Sequence, residues 1–200
     1  LSNYVATFTN GSVVGASMLV SLGVSLGFSL LTTLLIMPIG MLAALTVNTP
    51  YRGRALVRII YLIPYVIPTF VTALIWRMMF LNGMGPVDRF LATIHVASIN
   101  TYWLLGSNSF WAMVIADTWA SWPFIYMMTL AGLQSLPAEV YDSAAVDGAN
   151  FRQKMVYIIL PHLRHTLALA ILLSTLNHFN NFTPVSYTHL RAHETGSNLV

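Results

Sequence analysis

Asp, Glu, Lys and Arg are absent from Leu1 to Tyr51, and again from Ile59 to Trp76, Phe90 to Ala116, Thr118 to Ala138 and Thr166 to Leu190. About 20 mainly apolar residues suffice for a helix to cross the hydrocarbon core of a bilayer, so several of these stretches qualify as spans. Their apolar residues recur with a helical period and do not alternate, and lipid offers backbone amides no water, so helices and not a barrel are expected. The fold class is all-α, a polytopic membrane protein with about four core spans. The first lies within Val13 to Val47, with Pro38-Ile39-Gly40 as a candidate break. The second runs through about Leu56 to Phe80 and carries Pro64 and Pro68; the third runs from about Phe110 to Leu133 and the fourth from about His165 to Phe182.

Within the first span Ser17, Ser21, Ser25 and Ser29 recur every fourth residue, and Gly23 with Gly27 forms a pair of small residues. Both patterns are expected to serve close helix packing.

The loops give the orientation. Arg52, Arg54 and Arg58 cluster between the first two spans, and Arg152, Lys154 and Arg164 fall between the third and fourth. Basic residues concentrate on the cytoplasmic side, which places these two loops inside. Leu81 to Ser109, with Trp103 and Trp111 suited to an interfacial belt, then lies outside as a loop with room for a short helix.

Composition narrows the class further. Of 200 residues 56% are hydrophobic and 8% charged, against roughly a quarter charged in a soluble domain. A net charge of +3 is too thinly spread for a nucleic-acid footprint. The absence of cysteine excludes disulfides and thiol chemistry.

The most punctuated stretch runs from Ser135 to Pro161 and reads as two short helices joined at a glycine. Ser135 is placed to cap the first, Pro137 suits its opening turn, Glu139 favours the positive end of its dipole, and Gly148 can take a left-handed C-terminal position. Asn150 and Gln153 have the spacing of a capping box opening the second helix, and Pro161 marks its end or a bend into the last span. A rigid elbow built to push against a partner needs such punctuation; a solvated hairpin does not.

This segment resembles the cytoplasmic coupling loop of binding-protein-dependent ABC permeases, whose pattern is Glu-Ala-Ala, then Asp-Gly-Ala, then Ile-x-Leu-Pro. Here Asp142-Ser143-Ala144, Asp147-Gly148-Ala149 and Ile158-Ile159-Leu160-Pro161 stand at that spacing. The likeness extends to Arg52-Gly53-Arg54, Pro64 and Pro68 with Trp76, Trp119 with Pro123-Phe124, Ala131 to Pro137 and Asn177 to Phe182. It covers nearly all of Asn3 to Pro184 and looks like the sugar branch, in particular the larger permease subunit of maltose-type importers. The resemblance implies a type I importer transmembrane domain over 1–184, with its coupling loop at about 135–161. It implies that Glu139, Asp142, Ala144, Asp147 and Gly148 couple to cytoplasmic ATPases. It also implies as partners a second permease subunit, two ATP-binding cassette ATPase subunits and an extracytoplasmic sugar-binding protein. The implied location is a bacterial or archaeal plasma membrane, crossed several times.

Ionisable and amide groups inside a membrane helix are costly, and by default they mark a pathway or an internal partner. Asp117, Ser121 and Phe124 share one face of the third span at i, i+4 and i+7; Ser174, Asn177, His178 and Asn181 share one face of the fourth. Two such faces are expected to line one cavity. The resemblance adds Ala120, because maltose-type permeases hold their sugar at positions matching Asp117, Ala120, Ser121, Phe124, Ser174, Asn177, His178 and Asn181. A carboxylate and amides can exchange hydrogen bonds with vicinal hydroxyls while an aromatic ring covers a sugar's apolar face. The alternative for each is an interhelical hydrogen bond, and the alternative solutes are glycerol phosphate or a sugar moved by an ion-coupled carrier. Asp117 opposes a phosphorylated solute, and no repeated half typical of such carriers is visible.

The chain has no phosphate-cradling glycine-rich lysine loop, so no enzyme activity is expected, and no cofactor on this chain; ATP and magnesium are used by the ATPase partners. His189 and His193 lack the glutamate of a metalloprotease motif, and no metal site is assigned. Val185 to Val200 turns polar, resembles a translated adapter sequence, and is expected to be a non-native tail. Further spans are expected before Leu1 and after Pro184.

Overall fold

A computed structural model describes residues 13–95, 101–106 and 108–194; the side chains at 13–19, 21 and 180–194 lie outside that description. Ser17, Ser21, Asn181, His189 and His193 therefore carry no statement about their contacts.

Among the described residues every regular element is helical. α1 spans Val13–Asn48, α2 Arg54–Val66, α3 Thr69–Met79, α4 Pro86–Thr93, α5 Asn108–Gln134, α6 Ala138–Val146 and α7 Phe151–Lys154. A π-helical turn, Met155–Ile159, joins α7 to α8, Leu160–Glu194. α1, α5 and α8 pack mutually, with α1 against α5 the most extensive interface, and α2 lies along α5.

Small residues set how close these helices come. A Cβ on Gly40 of α1 would sit 2.6 Å from the Ile125 Cβ and 2.8 Å from the Tyr126 amide nitrogen of α5. A Cβ on Gly132 of α5 would collide with Leu163 of α8. Near these contacts Ala43, Ala44, Val47, Tyr126, Leu133, Ile159, Leu163 and Leu167 form the main buried cluster. The outward faces are apolar as well: Val20, Leu26, Leu30 and Leu34 on α1 and Leu169, Leu172 and Leu176 on α8 are exposed. A soluble protein rarely leaves so much contiguous apolar surface uncovered, whereas lipid accepts it.

Two helical stretches, Leu22–Asn48 and Phe151–Phe179, are long and apolar enough to cross a membrane, and the bent pair α2 and α3 makes a third. α5 has the length of the expected third span but not that apolarity, because it is the helix with neighbours on most sides and carries Asp117. The candidate break in the first span is not there: α1 is one helix straight through Pro38. The break comes in the second span, where α2 and α3 meet at 91°. Pro64 is accommodated inside α2, while Ile67 is held extended ahead of Pro68, which becomes the N-cap of α3.

The connection between α1 and α2 is tied locally. The Arg58 guanidinium donates to the Val47 carbonyl at 3.1 Å, satisfying an orphan acceptor in the last turn of α1. The helical path of α8 runs on through Glu194, across the onset of the expected tail at Val185.

Candidate functional site

Two of the polar groups read from the sequence meet inside the bundle. The His178 Nδ1 of α8 lies 2.6 Å from the Asp117 Oδ2 of α5, with the imidazole side chain 3% exposed and the carboxylate 22%. The geometry between the two atoms does not meet that of a hydrogen bond, so the contact is electrostatic. The Ser121 hydroxyl donates to the other Asp117 oxygen at 3.3 Å. The Phe28 ring of α1 stands edge-on to the imidazole, centroids 6.5 Å apart. One turn before His178, Ser174 is buried with its hydroxyl unpartnered. The His178 Nε2 is also buried and unpartnered.

The remaining predicted path residues divide. Phe124 is half-buried and stacks on Tyr65 of α2, centroids 6.5 Å apart. Ala120 is half-buried and Asn177 is exposed, outside the closed seam; the Asn181 side chain is not among those described. Across the two polar faces Asp117 and His178 come into contact, and a polar partner lowers the cost of holding each away from water.

Sequence reasoning missed the contribution of α1. The Ser29 hydroxyl donates to the Thr175 carbonyl at 2.7 Å, and Thr33 and Thr175 hydroxyls lie 3.4 Å apart. Ser25 and Thr32 are also buried, and Ser29 of the serine series meets α8, as packing requires. Gly23 and Gly27 have nothing within reach of a Cβ, so that pair makes no close approach among the described residues.

The elbow is built as its residues dictate, with two corrections. α6 ends in a full Schellman closure: Gly148 takes φ +70°, its N–H donates to the Ala145 carbonyl at 3.1 Å, and the Ala149 N–H to the Ala144 carbonyl at 2.9 Å. Asn150 and Gln153 form the reciprocal capping box at 2.8 and 2.9 Å. Ser135, however, does not cap α6. Its hydroxyl binds the Gly132 carbonyl at 2.8 Å and lies 2.9 Å from the His162 Nε2, while Pro137 occupies the N-cap position. The second correction concerns Pro161, which neither ends nor breaks the helix. It follows the π turn, in which the Leu160 N–H reaches back five residues to the Met155 carbonyl. The widened turn brings α7 into α8 without a stop.

Within the elbow Ala144 is buried, and Tyr141 packs against the main cluster below α1 and α5. Burial pushes the Tyr141 phenol above its usual pKa, with the Asn48 amide opposing. Glu139, Asp142, Asp147 and Gly148 are exposed. So are Val146, at 88%, Phe151 and Tyr157. An open concavity of about 280 Å³ is lined by Ala144, Asp147, Gly148, Ala149, Gln153 and Tyr157.

Residues 36–190 match the family described as the binding-protein-dependent transport system inner membrane component. The trehalose/maltose transport system permease protein MalF of Thermococcus litoralis is 35% identical over 155 residues, 77% of this chain and 52% of that protein. The maltodextrin transport system permease protein MdxF of Bacillus subtilis is 28% identical over 190 residues, 92% of this chain and 41% of that protein. This chain thus spans about half the length of these curated relatives, or less. Among solved structures, a chain of a bacterial alginate ABC transporter, in complex with an alginate pentasaccharide-bound periplasmic protein, superposes with a TM-score of 0.66 at 26% identity, over 76% of this chain and 53% of that one. Helix order, elbow and family match agree, and the chain belongs to the binding-protein-dependent transport system inner membrane components, which are transporter permease subunits.

Proposed function

We propose that this chain is part of a permease subunit of an ATP-binding-cassette importer, and that its α5–α8 seam forms a stretch of the path taken by a sugar. The observation that carries the reading is the elbow. A nine-residue helix closed by the Asp147-Gly148-Ala149 turn projects Val146 and Phe151 uncovered beside Glu139, Asp142 and Asp147. Exposed apolar side chains next to fixed carboxylates suit a protein cleft, and a cytoplasmic ATPase is the partner that fits. Movement of the elbow would pass into α8 without a joint, since α7, the π turn and α8 are continuous, and α8 carries His178.

A sugar is supported by the relatives' names, which give trehalose, maltose and maltodextrin, and by the hydrogen-bonding groups of Asp117, Ser121 and Ser174 along the seam. The full assembly is one with a second permease subunit, two ATPase subunits and an extracytoplasmic binding protein, in a bacterial or archaeal plasma membrane crossed several times. ATP and magnesium are bound by the ATPases.

The test is ATP-dependent uptake of labelled sugars into vesicles holding the complete importer, for wild type, Gly148→Asp and Asp117→Ala. Gly148→Asp should abolish uptake and ATPase association, while Asp117→Ala should change sugar preference or affinity by about tenfold, the effect of one lost polar contact. Uptake that persists without the ATPase, or that follows an ion gradient, overturns the proposal.

A further inference from the structure

One buried carboxylate has no part in the seam or the elbow. Asp88, in the first turn of α4, is completely buried. Its Oδ2 accepts the Gly83 N–H at 2.8 Å and its Oδ1 accepts the Trp103 indole N–H at 2.9 Å. Both oxygens are thus satisfied, and the charge sits at the positive end of the α4 dipole. One side chain therefore fastens the turn after α3 to the segment that leads into α5.

Aromatic contacts continue the link. The Trp103 ring packs on Phe80, centroids 5.8 Å apart, and Phe80 stacks on Trp76 at 5.5 Å. Trp76 meets Trp119 of α5 edge-on at 5.9 Å. Trp119 lies two residues beyond Asp117. α3 itself is turned 91° from α2 and meets α5 at Trp119, a bar set off from the helix before it. Its root is the Pro68 bend, and its far end is held through Phe80, Trp103 and Asp88.

We infer that Asp88 is the positioning residue of an outer gate: it locks the α3 bar and the α4 turn onto α5 and so keeps the polar face at Asp117 closed from the outer side. The inference rests on the permease reading, which sets which side is outer and what the closed face admits. Opening toward the outside then requires the bar to move as one piece with Trp103, and weakening the lock lets it lift without ATP.

The chain contains no cysteine, so one introduced at Ala120 of α5 reports access directly. In the complete importer without nucleotide, labelling of A120C by a membrane-impermeant maleimide is compared from the two sides of the membrane, in the parent, D88A, D88N and W103F. D88A and W103F should speed labelling from the outer side on the order of tenfold, the size of a typical coupling between two states. D88N, which keeps one acceptor, should fall between. Labelling from the cytoplasmic side should not change; a rise on both sides means loosened packing and overturns the inference. Unchanged outer labelling in W103F overturns it too, and decides the matter where D88A fails to accumulate. The permease reading fails on different data, namely absence of ATP-dependent uptake in the complete importer without any substitution, whatever the labelling shows.

Discussion

The elbow and the α4 cap fastened by Asp88 are both built on short helices set between longer ones, and they are held in opposite ways. The elbow closes on itself. Its glycine turn, capping box and π turn use backbone groups and side chains within six residues of one another, and its surface is left open. The cap closes on the rest of the chain. Asp88 reaches Trp103, fifteen residues away, and the rings carry the contact on to α5. A joint stabilised from within can move as a unit while keeping its shape. A joint stabilised from outside holds its shape only while docked, as suits a gate.

Two glycines make the difference testable. Gly85 has an ordinary φ of −66°, but a Cβ there would run into the Met79 carbonyl oxygen and lie 2.7 Å from the Leu81 nitrogen. It is required by space, and the obstacle is backbone that cannot step aside. Gly148 is required by conformation, with φ +70° and nothing within 4 Å of a Cβ. The largest effect is therefore expected from Gly85→Ala, which must disrupt the turn, at a cost of about 3 kcal/mol, the upper end for overpacking. Thermal unfolding in detergent, together with proteolysis between α3 and α5, would record it, and Gly85→Asn should be no better tolerated. At Gly148 the cost is backbone strain of about 1–2 kcal/mol for a branched residue. Gly148→Val should impair ATPase association while Gly148→Asn, which accepts left-handed geometry, retains most of it. If Asn rescues at both positions or at neither, the two joints are not held differently.

That contrast also accounts for what could be read from the sequence. The elbow was legible because capping residues act at fixed short offsets: Gly148, Asn150 and Gln153 do what their positions predict. Ser135 misled because its hydroxyl found a carbonyl on α5 and a histidine on α8, partners that local spacing does not announce. Pro161 misled because a π turn absorbs a proline that an ideal α-helix would not. In the membrane, Asp117, Ser121 and His178 were legible as costly polar groups on facing helices. That they would close on each other was not, since periodicity gives a face and not the partner. Asp88 left no signal beyond being an acid in a loop, because its role depends on Trp103 and Gly83 arriving from two other segments. The 91° turn at Pro68 was half legible: proline marks a bend, but its size depends on where α3 finds Trp119.

The smallest expected effect separates the elbow from its surroundings most sharply. Asn150→Ala removes one half of the capping box and should cost about 1 kcal/mol, as loss of an N-cap does. Gln153→Ala should cost somewhat less, and the double variant should cost less than the sum, because each side chain serves the other's backbone amide. The loss should stay local. Phe151, Arg152 and Gln153 are exposed, and the box and the turn that follows hold this short helix. Amide hydrogen exchange should therefore quicken from Phe151 into the π turn and remain unchanged in α6, whose end is closed separately by Gly148 and Ala149. It should also remain unchanged around Asp88, at the other end of the bundle's connections. Faster exchange reaching α6 would mean that the two elbow helices form one cooperative unit, and that the Schellman turn is not the independent closure its geometry implies.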